Sequence, residues 1–274
     1  MSHRGAPKPA RFPLVLNRLK TEATGHPARE PLRPQRLLRE AAQDAARNLP
    51  PTGLAPDSAP MRRRMVERLR AEGVAVDAVL TAMAQVPRHE FVDTALAPQA
   101  YEDTSLPIGH GQTISKPSVV ARMLSLLHEG EAASRSGQLG RTLEIGTGCG
   151  YQAALLLSLA AEVVSIERIQ GLHERALKAL APAASGRLWL VHGDGMLGHP
   201  ARAPFQSIIA AAGGESLPEV WLEQLAPGGR LVAPMWQGSA HNQVLMVVDK
   251  SLNGTVRQRP HDGVLFVPLK SGTV

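Results

Sequence analysis

The 274-residue chain has a single cysteine, Cys149, so neither an intrachain disulfide framework nor a zinc site built on several cysteines is open to it. A lone thiol fits a reducing compartment, and the cytoplasm is the expected location. Aromatic residues are scarce at 3%, so the core must be built from Leu, Val, Ile and Ala, which the 43% hydrophobic content allows. Long apolar runs are missing too. The stretch from Ala153 to Ala161 is interrupted by Ser158 and falls far short of the roughly 20 residues that a spanning helix needs. No membrane anchor is expected. The first twenty residues carry charges without an apolar stretch of useful length, so no secretory leader is expected either.

Charge is unevenly placed. Of the net +6, most belongs to residues 1–60, which hold ten Lys/Arg against five Asp/Glu; the rest of the chain is nearly neutral, with 20 against 19. The same 60 residues contain ten of the 22 prolines. Proline at that density removes backbone donors and blocks regular structure, which predicts a solvated, disordered extension with at most one short helix over Leu37–Asn48. Its only aromatic is Phe12, so it lacks the stacking side chains of a nucleic-acid-binding arm.

From residue 61 the pattern becomes periodic. Met61–Glu72 and Val76–Val86 read as helices separated by Gly73, with Met65, Leu69, Val79, Leu80 and Met83 on their buried faces. Ser118–His128 reads as a third, amphipathic helix. After Arg141, short apolar strands alternate with helices. Thr142–Ile145, Glu162–Ile166, Leu188–Val191, Ser207–Ala211 and Arg230–Pro234 are the strands; Gln152–Leu159, Leu172–Leu180 and Leu217–Leu225 are the helices. This alternation predicts an α/β fold with a mostly parallel, doubly wound sheet. Gln243–Asp249 and Gly263–Leu269 follow as late strands, one of them antiparallel at the edge.

The most informative residues are Leu143-Glu144-Ile145-Gly146-Thr147-Gly148-Cys149-Gly150-Tyr151. A strand that runs through a glycine-rich turn into a helix is where an α/β sheet binds a nucleotide-like ligand. The spacing is E-x-G-x-G-x-G, whereas the dinucleotide fingerprint is G-x-G-x-x-G. Glu144 before the loop suits a cationic ligand, which points to S-adenosyl-L-methionine (AdoMet) over NAD. Glu167 ends the second strand 21 residues after Gly146, where an acid accepts hydrogen bonds from ribose hydroxyls. The alternative for it is a solvated strand-end acid. Asp194, in His192-Gly193-Asp194-Gly195, follows the third strand; by itself the motif is an ordinary turn, and its register brings Asp194 toward an adenine amino group.

Upstream, Ile108–Pro117 precedes the third helix. Ser115 is placed to cap that helix, with Pro117 in its first turn. Thr113 and Ser115 would equally present hydroxyls to an anionic group at a helix N-terminus, and the two roles are compatible. His89, His110 and His192 share no ligand-like spacing, so no metal is expected.

At these residues the chain resembles the protein-L-isoaspartate(D-aspartate) O-methyltransferase family. The resemblance rests on IGHGQTIS (108–115), LEIGTGCGYQ (143–152), VSIE (164–167), GDG (193–195), LAPGGR (225–230) and FVPL (266–269), with RHEF (88–91) and YED (101–103) upstream. It spans roughly residues 62–270 in order, and G-Q-T-I-S is its family-specific element. The resemblance implies a Rossmann-like AdoMet methyltransferase fold with an N-terminal helical subregion. The implied reaction methylates the α-carboxylate of L-isoaspartyl and D-aspartyl residues in damaged proteins, releasing S-adenosyl-L-homocysteine and starting repair through a succinimide. Ser115 is then the active-site serine, and Thr113, Ile114 and Ser115 form the cofactor-and-substrate loop. Gly146, Gly148 and Gly150 form the methionine-side loop, Glu167 holds ribose, and Asp194 with Gly195 lies by adenine. Lys116 and Ser118 stand where the family often has Gln and Tyr, and Gln206 where an Asp is frequent.

The expected organisation is an extension over 1–60 and one methyltransferase domain over 61–274. Within that domain, 61–128 form a helical cap and substrate loop, 141–250 the AdoMet-binding core, and 251–274 the final strands. A monomer acting on isoaspartyl proteins and peptides, with no membrane or nucleic-acid partner, is expected. Two alternatives stand beside it: a methyltransferase of the same fold acting on RNA or a small molecule, and a nucleic-acid-binding protein using the basic extension.

Overall fold

The computed structural model describes residues 58–183, 186–237 and 242–274. Residues 1–57 of the expected extension, with the helix over 37–48, lie outside the described residues; its last three residues, 58–60, already belong to the first helix. Helices α1 (Ser58–Ala71) and α2 (Asp77–Gln85) flank Gly73. Met65, Leu69, Val79, Leu80 and Met83 are at most 2% exposed, so their periodic spacing does mark the packed face.

A small antiparallel hairpin, missed by the periodicity, comes next: β1 (Leu106–Gly109) and β2 (Gln112–Ile114). Its tip is His110-Gly111, both at positive φ (52° and 67°). That is the backbone a two-residue loop needs if its twist is to match the strands it joins. Helix α3 (Pro117–His128) follows, then a one-turn helix α4 (Glu131–Ser136) that was not expected.

The rest is built on one seven-stranded sheet. Its strands are β3 (Arg141–Ile145), β4 (Glu162–Glu167), β5 (Leu188–His192), β6 (Phe205–Ala210), β7 (Leu225–Gln237), β8 (Asn242–Lys250) and β9 (Val256–Val264). The spatial order is β5-β4-β3-β6-β7-β8-β9, with β5 through β7 parallel and β8 and β9 antiparallel. Helices α5 (Tyr151–Leu159), α6 (Gln170–Leu180) and α7 (Glu219–Gln224) provide crossovers. Consecutive strand residues enter different cores. Ile208 belongs to the core that holds Leu143, Ile145 and Ile166, whereas its neighbour Ile209 belongs to the one that holds the helical residues Leu155 and Leu124. A sheet covered on both faces explains why these strands read as continuous apolar runs.

The last strand corrects the sequence reading. Pairing with β8 is made by 256–264, and Gly263–Leu269 mostly runs beyond it as irregular chain, with an isolated bridge from Pro268 to Gly213. The reason is compositional. Strand β9 is Val-Arg-Gln-Arg-Pro-His-Asp-Gly-Val, largely exposed, and an edge strand tolerates both the charges and Pro260.

In this topology the strand order reverses beside β3, whose neighbours are β4 and β6. The crevice beyond the carboxyl ends of those strands is where such sheets bind ligands.

Candidate active site

The crevice holds a cavity of about 530 Å³, within the usual range of small-molecule sites. One wall is the β2–α3 segment with Thr113, Ile114 and Ser115. The floor is the β3–α5 loop with Gly146, Thr147, Gly148 and Cys149. Glu167, Arg168 and Ile169 at the end of β4, with Gly195 and with Val274 bonded beside them, line it as well, as do residues 267–270.

The glycine loop follows from backbone geometry. Gly146, Gly148 and Gly150 all have positive φ, at 92°, 57° and 93°, a region that costs an L side chain free energy. Their surroundings differ. A Cβ on Gly148 would lie 3.2 Å from Ile108 Cδ1, whereas one on Gly150 would lie 2.9 Å from Leu180 Cδ1. Gly150 therefore lets α5 pack on α6 and is not part of the cavity lining, unlike Gly146 and Gly148. Gly195 tolerates no side chain, since a Cβ would sit 2.5 Å from Ile145 Cγ2. Its close approach is kept by Trp221, whose buried indole N–H donates to the Gly195 carbonyl at 2.9 Å.

Glu167 is 4% exposed and faces the cavity. Its Oε2 accepts from the Gly148 N–H at 2.8 Å and its Oε1 from the Ile169 N–H at 2.9 Å. One carboxylate thus pins the glycine loop and the start of α6, and its remaining lone pairs are available to ligand hydroxyls.

Three placements correct the sequence reading. Glu144 does not face a cationic ligand. It is fully buried behind the loop, where it accepts from the Ser165 hydroxyl, and Ser165 in turn meets the Thr147 hydroxyl at 2.6 Å. Burial pushes the Glu144 carboxyl up to about 8, so it is protonated at neutral pH. Asp194 also lies off the cavity. Its Oδ1 accepts from Met196 N–H at 2.8 Å and its Oδ2 from Gly272 N–H at 2.7 Å. Ser115, finally, does not cap α3. The residue preceding that helix is Lys116, with no side-chain cap, and the end is held from a distance by Asp103 of the YED motif. Asp103 accepts from both the N–H and the hydroxyl of Ser118, each at 2.8 Å. Burial alone would raise the Asp103 carboxyl; the Ser118 bonds and Lys116, 3.7 Å away, hold it below its usual value.

With capping done by Asp103, the Ser115 side chain is left for the site. Ser115 lines the first cavity and also a second, of about 750 Å³, together with Lys116, Gln243, Val264 and Phe266. The buried Gln243 amide pairs with the Phe266 backbone in both directions, at 2.6 and 3.2 Å, and fixes the far wall.

Sequence reasoning missed Arg168 and Val274. Gly272–Val274 is stitched to the carboxyl end of β4 through Val274 N–H to Arg168 O (2.9 Å), Gln170 N–H to Val274 O (2.8 Å) and Arg168 Nε to Gly272 O (2.9 Å). These contacts join segments about a hundred residues apart, and no local pattern signals them. Among the described residues no three His, Cys, Asp or Glu side chains gather as a metal would require, and no helix is long and apolar enough to cross a membrane.

Comparison with known proteins gives a consistent result. The family model described as protein-L-isoaspartate(D-aspartate) O-methyltransferase matches residues 61–274. A protein-L-isoaspartate O-methyltransferase of Methylibium petroleiphilum is 55% identical over 271 residues, covering 98% of each chain. One of Leptothrix cholodnii is 54% identical over 280 residues, covering 100% of this chain and 98% of its own. A solved protein-L-isoaspartate O-methyltransferase is 26% identical with a TM-score of 0.67, over 77% of this chain and 66% of that one. A Plasmodium falciparum protein crystallised with S-adenosyl-L-homocysteine is 24% identical with a TM-score of 0.63, over 76% and 98%, a likeness of fold.

Proposed function

The chain belongs to the protein-L-isoaspartate(D-aspartate) O-methyltransferase family, and from that membership we propose how its residues carry out methyl transfer from AdoMet to the α-carboxylate of an isoaspartyl residue. The observation that carries the proposal is the position of Ser115, shared by the cofactor-sized cavity and the second one. The first cavity takes AdoMet and the second the damaged polypeptide, so donor and acceptor meet at this serine.

The cavity's residues fit the cofactor. Gly195 and Gly148 bring side-chain-free backbone to the cavity edge, packed against Ile145 and Ile108 where a Cβ would crowd them, which suits the close approach of a flat base and an extended chain. Glu167 offers spare carboxylate lone pairs at the same wall, as ribose hydroxyls require. AdoMet, when bound, supplies an electrophilic methyl group. The acceptor carboxylate is already ionised at pH 7, so no strong general base is needed. What the protein adds is placement and the exclusion of water. In our reading the Ser115 hydroxyl donates to one carboxylate oxygen and turns the other toward the methyl. Thr113 and Ile114 shape the same wall, Gly146 and Gly148 border the amino-acid arm, and Gly195 borders the base. Glu144, Gly150 and Asp194 act indirectly, holding the loop, the α5–α6 packing and the Gly272 segment.

Domain roles follow the same proposal. Residues 61–274 act as one methyltransferase domain, working as a monomer in the cytoplasm, where the single Cys149 stays reduced. RNA or small-molecule methylation and nucleic-acid binding are not favoured, because relatives with the isoaspartate activity in their names match the whole chain, residues 1–60 included.

Two measurements test this reading. Labelled AdoMet is incubated with the protein and paired peptides differing only in an isoaspartyl or normal aspartyl linkage; label is expected in the isoaspartyl peptide alone, and equal or absent labelling refutes the assignment. Glu167→Gln replaces one acceptor oxygen by a donor, and is expected to weaken AdoMet binding about 10-fold, read by titration calorimetry. An unchanged affinity would remove Glu167 from the cofactor site.

A further inference from the structure

Arg88 is fully buried and makes no ion pair among the described residues. An unpaired cation in a protein interior carries a desolvation penalty of several kcal/mol, so its presence calls for a reason. Its surroundings are dipoles and a ring. Nε donates to the Ala100 carbonyl at 2.8 Å, and Nη2 donates to the Ser115 carbonyl at 2.8 Å. The guanidinium carbon stands 4.9 Å from the centroid of the Tyr151 ring, a cation–π distance. Nη1 and the Tyr151 hydroxyl are both buried and have no hydrogen-bond partner beyond one another.

These three contacts belong to three different segments. Ala100 precedes the β1–β2 hairpin, Ser115 ends it, and Tyr151 is the first residue of α5, next to Gly150. Tyr151 and Ser115 both line the first cavity. A single planar, always-charged group thus touches the acceptor-side serine loop and the cofactor-side glycine loop at once. Arginine alone can do this, because its rigid fork presents donors in two directions while its face stacks on a ring.

We propose that Arg88 is a positioning residue for Ser115: by holding the Ser115 carbonyl and the Tyr151 ring together, it sets the distance and angle at which the serine hydroxyl presents the acceptor carboxylate to the methyl donor. The proposal rests on the role of Ser115 given above. Methyl transfer without a general base depends on alignment, and a displacement of about 1 Å can lower the rate about 100-fold. Arg175 also holds the hairpin, donating to the Ile108 carbonyl (2.9 Å) and to that of Phe91 upstream (3.1 Å). It does not touch the serine, so the alignment of Ser115 falls to Arg88.

The test is a double-variant cycle on the full chain with an isoaspartyl peptide. Arg88→Lys keeps the charge and loses the fork; it is expected to lower kcat about 10-fold while AdoMet Kd and peptide KM stay within about threefold. In a Ser115→Ala background the same change is expected to lower kcat by less than about twofold, because the group it aligns is gone. Losses that multiply, a kcat unchanged by Arg88→Lys, or a parallel loss of AdoMet affinity would each overturn the proposal. Arg88→Gln, neutral and shorter, gives the same reading if the lysine variant does not fold; failure of both to fold would assign the guanidinium to the fold and also overturn it. Inactivity of the unaltered protein on isoaspartyl peptides is a separate result and would count against the function, not against the cycle.

Discussion

Ser115→Ala is expected to lower kcat on an isoaspartyl peptide about 100-fold while AdoMet binds within about threefold of its original affinity. The size follows from what the hydroxyl does. A positioned donor that is lost from an aligned site typically costs 100- to 1,000-fold, and the lower figure suits a hydroxyl that orients an anion already present in the ground state. The separation of kcat from cofactor affinity follows from geometry. Ser115 lies at the junction of the two cavities, whereas the glycine loop and Glu167, which hold the cofactor in our proposal, make none of their hydrogen bonds to it. Stopped-time assays at saturating AdoMet, with calorimetric titration of the same preparation, decide the matter. Turnover that survives with cofactor affinity lost would move Ser115 out of the acceptor role.

Glu144→Gln is expected to change the pH dependence of stability by about 4 kcal/mol between pH 5 and pH 8. The carboxyl titrates at about 8 in the folded protein against an ordinary 4.5, because burial disfavours its anion. The folded state therefore holds this proton more tightly than the unfolded chain does. Its contribution is fully present below pH 4.5 and is lost as pH rises through 8, at about 1.4 kcal/mol per pH unit. Glutamine keeps the shape and a donor without the ionisation, so the variant lacks this slope. All other titrating groups are common to both proteins and cancel in the difference. Urea unfolding at pH 5 and pH 8 gives the comparison; parallel losses in the two proteins would show that Glu144 is not protonated in the fold.

Much of the fold was legible because its strands are buried on both faces. Runs such as Val163–Ile166, interrupted only by Ser165, and Ile208–Ala211 stand out as short apolar segments, and the glycine loop marks the turn between strand and helix. Strand β9 was hidden for the opposite reason, since an exposed ribbon needs no apolar pattern. Glu144 was misread although the signal existed. Side chains alternate along a strand, and Leu143 and Ile145 enter one core, so Glu144 must enter the other, beside Ser165, its partner in register. The local turn at Asp194 was legible, but the distant partners of Asp103 and Asp194 were not. Asp103 caps a helix fifteen residues away, and Asp194 is engaged by Gly272, 78 residues on.

The two cavities draw on different parts of the sheet. The first is bordered by loops at the carboxyl ends of the parallel strands, while Gln237, Gln243, Val244, Gly263 and Val264 of the antiparallel ribbon β7–β9 border the second. In the proposal made above, cofactor binding and acceptor choice then draw on largely different stretches of sequence, joined at the hairpin segment that carries Ser115. On that proposal, a descendant could rewrite the ribbon, and with it the polypeptide that is accepted, while the donor half is inherited unchanged.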